Sequence, residues 1–470
     1  MNLIKKIYSI SKIITLILIL KKSSNVKEKK ETAQKITNLI EKLGPIAIKL
    51  GQILSTRIDL LPEELINELK KLQTNIKPIK FKKIKNIIEK KFNAKLNSMF
   101  KKINENPLAS ASIAQIHTAL SKKNEKLVIK IIKPEIKNTI KKDLILLKFF
   151  SIIIHIIFPK IRRLKPIDII KELDKSLKTE INLKNEAINI IKTQKNFKNN
   201  NKIYIPKIDI TLTNDEIITL EYIDGINITN KEKFTKIKLN TKIIVTNLLE
   251  LLYTQIFKHN LFHADLHPGN ILISKNKSNK SVIVLIDFGI SSTIRTKEKI
   301  YLAKNLLAFA QKDYKNVAKL HLKSQTINTK KTIQEIENDL YFIFEPILNK
   351  KIEKISFKNT ISLLINLSRS LNMQMQPQLI LFQKTLLSIE SISRHIEPSI
   401  NLWKITRISL EKIITKNTLT EKIKKIFKNK KNNKEKIKNK NNYNMKPIPL
   451  IITYLIIILI NNIMKYKMII

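Results

Sequence analysis

The octet His263-Ala264-Asp265-Leu266-His267-Pro268-Gly269-Asn270, followed by Asp287-Phe288-Gly289, restricts this chain more than any other feature. Between the two motifs, the apolar runs 271–274 and 282–286 pair across a polar turn at 275–280, which predicts a hydrophobic hairpin. The chain has only five glycines, Gly44, Gly51, Gly225, Gly269 and Gly289, and two of them stand in these motifs. A sequence so poor in glycine keeps it where the backbone cannot do without it.

At 470 residues the chain exceeds one typical core, so two packed lobes with appendages are expected. Cysteine is absent, which excludes a disulfide framework and thiolate zinc sites and points to a reducing compartment. The formal charge is +51, from 89 Lys plus Arg against 38 Asp plus Glu. Such an excess suits nucleic acid or an anionic membrane surface. Lysine, asparagine and isoleucine are enriched along the whole chain, however, and no DNA-reading motif accompanies the charge. The charge therefore reads as compositional drift plus proximity to a membrane lipid surface, with no nucleic acid expected.

Residues 1–32 combine Lys5, Lys6 and Lys12 with an apolar run at 13–20 that is too short to span a bilayer, the pattern of an interfacial, amphipathic helix. Residues 33–106 read as a helical extension, in which Pro62-Glu63-Glu64 opens a helix and Leu65, Leu69 and Leu72 supply its apolar stripe. Residues 107–228 read as a small lobe of sheet plus helix. A hairpin at 112–132 is followed by helices at 136–157 and 166–196, then by strands at 202–210 and 216–222. Residues 229–415 read as a helical lobe entered through an apolar helix at 240–259. A Lys/Asn-rich linker at 416–446 precedes residues 447–464, which contain no charge and reach about 27 Å as helix, the lower limit for a membrane span.

Asp265 and Asn270 are separated by the same five positions as the catalytic-loop Asp and Asn of a protein kinase, and Asp287 stands where such an enzyme keeps its second magnesium ligand. An ATP-dependent phosphotransferase needs a cation on the phosphates, oxygen ligands for Mg2+ and a carboxylate near the acceptor. In Leu127-Val128-Ile129-Lys130, the strand-borne Lys130 resembles the lysine that reaches the α and β phosphates. Glu180 and Glu186 are both candidates for the glutamate that orients it. Asp265 is the expected catalytic carboxylate, and Asn270 and Asp287 the metal ligands. No Gly-x-Gly-x-x-Gly occurs. Instead Ala109-Ser110-Ala111-Ser112-Ile113-Ala114-Gln115 precedes the lysine strand, so a stiffer loop should cover the nucleotide, with Ala109, Ala111, Ser112 and Ala114 closest to it. No Ala-Pro-Glu follows Gly289, which leaves little room for a segment that docks peptides.

These motifs, together with Lys49-Leu50-Gly51-Gln52, resemble the UbiB (aarF-domain) atypical kinase family over roughly residues 35–400. The resemblance implies an α+β, two-lobed protein-kinase-like fold with an N-terminal helical extension and a C-terminal hydrophobic membrane segment. It implies that the extension packs across the active site and places Lys49 and Gln52 near the nucleotide. It also implies ATP and Mg2+ as cofactors, and ATP hydrolysis or phosphorylation of a small, lipid-like acceptor in ubiquinone biosynthesis. The implied partners are a quinone precursor or other ubiquinone biosynthetic proteins, at a bacterial inner membrane with the kinase-like domain in the cytoplasm. The family's Glu-x-Asp motif reads Glu180-Ile181-Asn182 here, with an amide in place of the second carboxylate.

Two other readings compete. A nucleotide-binding pseudokinase would keep the same residue types and act as a membrane scaffold. A metallohydrolase would use His259, His263, Asp265 and His267, since positions 259 and 263 share an i,i+4 face if the helix continues.

Overall fold

The computed structural model describes residues 3–22, 25–55, 61–72, 78–134, 136–157, 166–237, 239–275, 281–323, 331–348 and 377–415. The chain opens with four helices, α1 (Leu3–Lys22), α2 (Val26–Leu43), α3 (Pro45–Ser55) and α4 (Glu63–Leu69). Asn25 caps α2 by accepting the Lys27 N–H. Gly44, at φ 99°, turns the chain between α2 and α3 in a region that L side chains rarely enter. The stripe Leu65, Leu69 and Leu72 is buried as its spacing predicts, against Ala33, Ile36, Ile40 and Ile48. In α1, Ile10, Ile14 and Leu20 face the protein, whereas Ile4 and Tyr8 remain exposed.

Next come α5 (Phe81–Phe92), α6 (Leu96–Met99), β1 (Phe100–Ile103), β2 (Ala109–Ser110), β3 (Ala114–Ser121) and β4 (Lys126–Ile132). The small lobe thus begins earlier than residue 107, because α5 presses Ile84 and Ile88 onto Phe100, Ile129, Ile131 and Ile217 of the sheet. Three helices follow, α7 (Ile136–Ile157), α8 (Pro166–Glu180) and α9 (Leu183–Phe197). The single helix expected at 166–196 is two. Asn182 adopts an extended backbone and accepts the Lys184 N–H at 3.1 Å, which starts a new helix.

The segment expected as one strand at 202–210 also divides, into β5 (Ile203–Tyr204) and β6 (Ile208–Asp209). Pro206 lies between them and has no N–H to donate, so the chain leaves one sheet there and joins another. With β7 (Ile217–Glu221), the first sheet has the order β1-β3-β4-β7-β6, and β2 pairs with β3. After β8 (Ile226–Asn227) and α10 (Lys231–Lys236), α11 (Thr241–Tyr253) runs into a π-helical turn at Thr254–His259. Then come β9 (Phe262–His263), a 3-10 turn at Pro268–Asn270, β10 (Ile271–Lys275), β11 (Ser281–Leu285) and β12 (Ser291–Ser292). The second sheet has the order β5-β11-β10-β8, and β12 pairs with β9.

Described helices complete the large lobe: α12 (Thr296–Ala310), α13 (Tyr314–Lys323), α14 (Ile333–Leu348), α15 (Pro377–Ile396) and α16 (Leu402–Thr415). One core joins the lobes, and α11 contributes Ile244, Val245, Leu248, Leu249, Leu251 and Leu252 to it. The linker expected at 416–446 and the membrane segment expected at 447–464 lie outside the described residues. Among the described residues, no helix is long and apolar enough to cross a membrane.

Candidate active site

Strand alternation places Lys130. On β4, Ile129 and Ile131 point into the core beneath α5, so Lys130 projects from the opposite face toward α9. Its Nζ donates to both carboxylate oxygens of Glu186 at 2.9 Å and to Asp287 Oδ2 at 3.0 Å. Glu186 is therefore the orienting glutamate, and it is almost completely buried. Burial alone would drive Lys130 toward the neutral amine, but the charges of Asp287 and Glu186 more than reverse this and hold it well above the ordinary lysine value. Burial also pushes Asp287 upward, and the Lys130 charge and the Gly289 N–H outweigh it, leaving the carboxyl far below the usual range. A charged triad results.

Glu180 takes a different partner. At the end of α8 it meets Lys49 of α3, with Nζ and Oε1 2.5 Å apart. Gly51 lies two residues further along α3, where an added Cβ would fall 2.4 Å from Leu72 Cδ1, so its missing side chain lets α3 seat against Leu72. Gln52 Nε2 donates to Leu72 O at 3.4 Å. The structure thus brings Lys49 to the edge of the site and turns Gln52 toward the extension. Lys49 also adds to the positive field at Asp265.

The alanine-rich loop is tightly held. Ala109 and Ser110 pair with Ile116 and Gln115, and the Ala111 N–H closes a turn onto Ala114 O at 2.9 Å. Ser112 is buried, and the Lys133 N–H donates to Ile113 O at 2.8 Å, tying the loop to the end of β4. Gln115 is fully buried; its amide accepts from the Ile79 N–H at 2.8 Å and donates back to Ile79 O at 3.1 Å. Ile113 shares a core with Ile46 of α3. Stiffness here comes from these hydrogen bonds and from the packing of Ser112 to Gln115, while Ala109 and Ala111 stay exposed.

His263 organises the segment that carries Asp265. Its Nδ1 accepts the Asp265 N–H at 3.2 Å, so Nε2 carries the proton and donates to Asp287 O. The ring is buried, and burial lowers its pKa and keeps it neutral. One imidazole therefore fixes the backbone at both Asp265 and Asp287. The β9–β12 pairing, with His263 opposite Ser291, reinforces this link. Asn270 donates its amide Nδ2 to Asp265 O at 3.2 Å, which turns its carbonyl oxygen away from that contact.

The metallohydrolase geometry does not form. Asn260 adopts a left-handed conformation that ends the helix after His259, so positions 259 and 263 share no helical face. His259 packs on Phe197 with centroids 5.2 Å apart, and His267 accepts the Gly269 N–H at 3.0 Å. Among the described residues, no three His, Cys, Asp or Glu side chains are grouped to hold a metal. Asp287 and Asn270 nevertheless carry oxygens of the hard type that suits Mg2+, which takes few protein ligands and completes its shell with water and phosphate.

One neighbour escaped the sequence reading. Lys384 of α15 places Nζ 2.7 Å from Asp265 Oδ1. It is 119 residues away in a helix without a recognisable motif, so spacing gave no signal.

Comparison with known proteins agrees with this architecture. Residues 71–321 match the ABC1 atypical kinase-like domain, and residues 340–401 match the UbiB helical domain. The chain is 36% identical over 372 residues to "Probable protein kinase UbiB" of Marinobacter nauticus, covering 79% of this chain and 68% of that protein. It is 40% identical over 374 residues to the protein of the same name in Blochmanniella pennsylvanica, again covering 79% and 68%. A solved structure, "The complex structure of Rv3197-erythromycin from Mycobacterium tuberculosis", superposes with a TM-score of 0.56 at 18% identity, covering 82% of this chain and 96% of that one. This last likeness concerns the fold alone.

Proposed function

Since the chain belongs to the ABC1 atypical kinase-like (UbiB) family, we propose that it binds ATP with Mg2+ and uses it as an ATPase or phosphotransferase on a small, lipid-like quinone precursor, in support of ubiquinone biosynthesis. The observation that carries this reading is the Lys130 ammonium, held between Glu186 and Asp287 beside the Asp265–Asn270 loop.

Bound Mg2+ would supply charge neutralisation at the phosphates. Lys130, fixed in position by Glu186, would meet the α and β phosphates; Asn270 and Asp287 would hold the cation. Asp265, fixed through its backbone by His263, would orient the acceptor hydroxyl and receive its proton. α3 and its Lys49–Glu180 pair lie at the edge of this site, a flanking layer that suits a small acceptor better than an extended peptide. The expected setting is the cytoplasmic face of a bacterial inner membrane, with an anionic lipid surface and biosynthetic proteins as partners.

The test is calorimetric titration of the full chain with MgATP, paired with quinone profiling of a deletion strain. Wild type should bind, Asp287→Asn should lose most metal-dependent affinity, and Asp265→Asn should fail to restore quinone. Full rescue by Asp265→Asn would favour the pseudokinase scaffold, and equal MgATP binding by Asp287→Asn would remove the kinase-like assignment.

A further inference from the structure

Each basic side chain around Asp265 has a distinct commitment. Lys130 is divided between Glu186 and Asp287, and Lys49 is bound to Glu180. His267, two residues beyond Asp265, already uses Nδ1 to accept the Gly269 N–H. Lys384 differs. Asp265 is its carboxylate partner, and its side chain remains 45% exposed against 30% for Asp265, so both ends of the pair face an open approach.

The helix beneath Lys384 is firmly placed. Phe382, Ile389, Ile392 and Ile396 bury one face of α15 in the common core. Thr385, fully buried beside Lys384, donates to Leu381 O at 2.9 Å and makes a long contact of 3.4 Å to His263 O in the catalytic segment. α15 is thus seated on the loop that holds Asp265. A lysine on a rigid helix, with a flexible stem and an exposed ammonium, can move a short distance without disturbing the core.

Resting on the nucleotide reading above, we propose that Lys384 is a phosphate-contacting residue that shares its ammonium between Asp265 and the terminal phosphoryl group of the bound nucleotide. A terminal phosphoryl group brings negative charge close to the Asp265 carboxylate, and a cation between them removes the repulsion while holding both. The helical unit that matches residues 340–401 therefore supplies part of the nucleotide site, and the kinase-like domain is incomplete without it.

The full-length chain, as wild type, Lys384→Ala and Lys384→Arg, is titrated with MgATP and with MgADP. Lys384→Ala should weaken MgATP binding about tenfold more than MgADP binding, the scale of one charge-assisted hydrogen bond. Lys384→Arg should keep both affinities within about threefold, because it retains the charge at a similar reach. If Lys384 only pins Asp265, the alanine variant will change both nucleotides equally or neither, and the proposal is overturned. Should the alanine variant unfold, Lys384→Met, which keeps the aliphatic stem, makes the same comparison. Wild-type protein that binds neither nucleotide overturns the nucleotide reading as well, whereas wild-type binding with an unaltered preference in the variant sinks this inference alone.

Discussion

Two lysine–glutamate pairs, Lys130–Glu186 and Lys49–Glu180, have similar contact lengths and very different work. The first joins the central strand of the small lobe to α9, and Glu186 is only 4% exposed. The second joins the N-terminal extension to α8, with both side chains between 17% and 19% exposed. Their glutamates are six residues apart, yet Asn182 breaks the helix between them and sends each carboxylate to its own lysine. The comparison teaches that one pair is internal to the small lobe, while the other fastens a separate layer against it.

The largest effect is expected from Lys130→Ala. It leaves Glu186 buried beside Asp287 with no cation between them, so stability should fall by about 3 kcal/mol and MgATP binding should be lost. Chemical denaturation and calorimetry measure both; retained nucleotide affinity would break the division of labour drawn between the pairs. Lys49→Ala should be milder. A loss of about 1–2 kcal/mol is expected because water reaches this pair more readily. Its signature is faster proteolysis in α1–α4 while MgATP affinity stays within about threefold; a loss of binding as large as that of Lys130→Ala would make Lys49 a direct nucleotide ligand.

The smallest effect belongs to the residue that separates the pairs. Asn182→Ala should cost about 1 kcal/mol through loss of the α9 cap. Asn182→Asp should match or exceed the native stability, since a carboxylate also accepts the Lys184 N–H and favours the helix N-terminus. Thermal melts of the three proteins decide this. If aspartate is markedly worse, Asn182 has a role beyond capping.

Much of the site was legible because short-range geometry fixes it. The interval from Asp265 to Asn270 and the hairpin leading to Asp287 are local, and strand alternation around Lys130 needs only its apolar neighbours. The choice between Glu180 and Glu186 was not legible, since it turned on a single capped break at Asn182 and on which lysine each helix end meets. The strand division at Pro206 carried a local signal in proline itself, but the change of sheet depends on distant partners, β11 for β5 and β7 for β6.

By itself, then, the sequence determined the residue types available: one strand lysine, one loop carboxylate, two oxygen-bearing side chains of the kind a hard cation takes, and a loop built from alanine instead of glycine. Those are set by residue type and by spacings of a few positions. The tertiary structure alone decided which charges meet. Glu186 faces Lys130, Glu180 faces Lys49, His263 bridges Asp265 and Asp287, and Lys384 arrives from a helix 119 residues downstream. Contacts between distant charges depend on how buried helix faces seat against one core, and that packing has no period that a linear sequence displays.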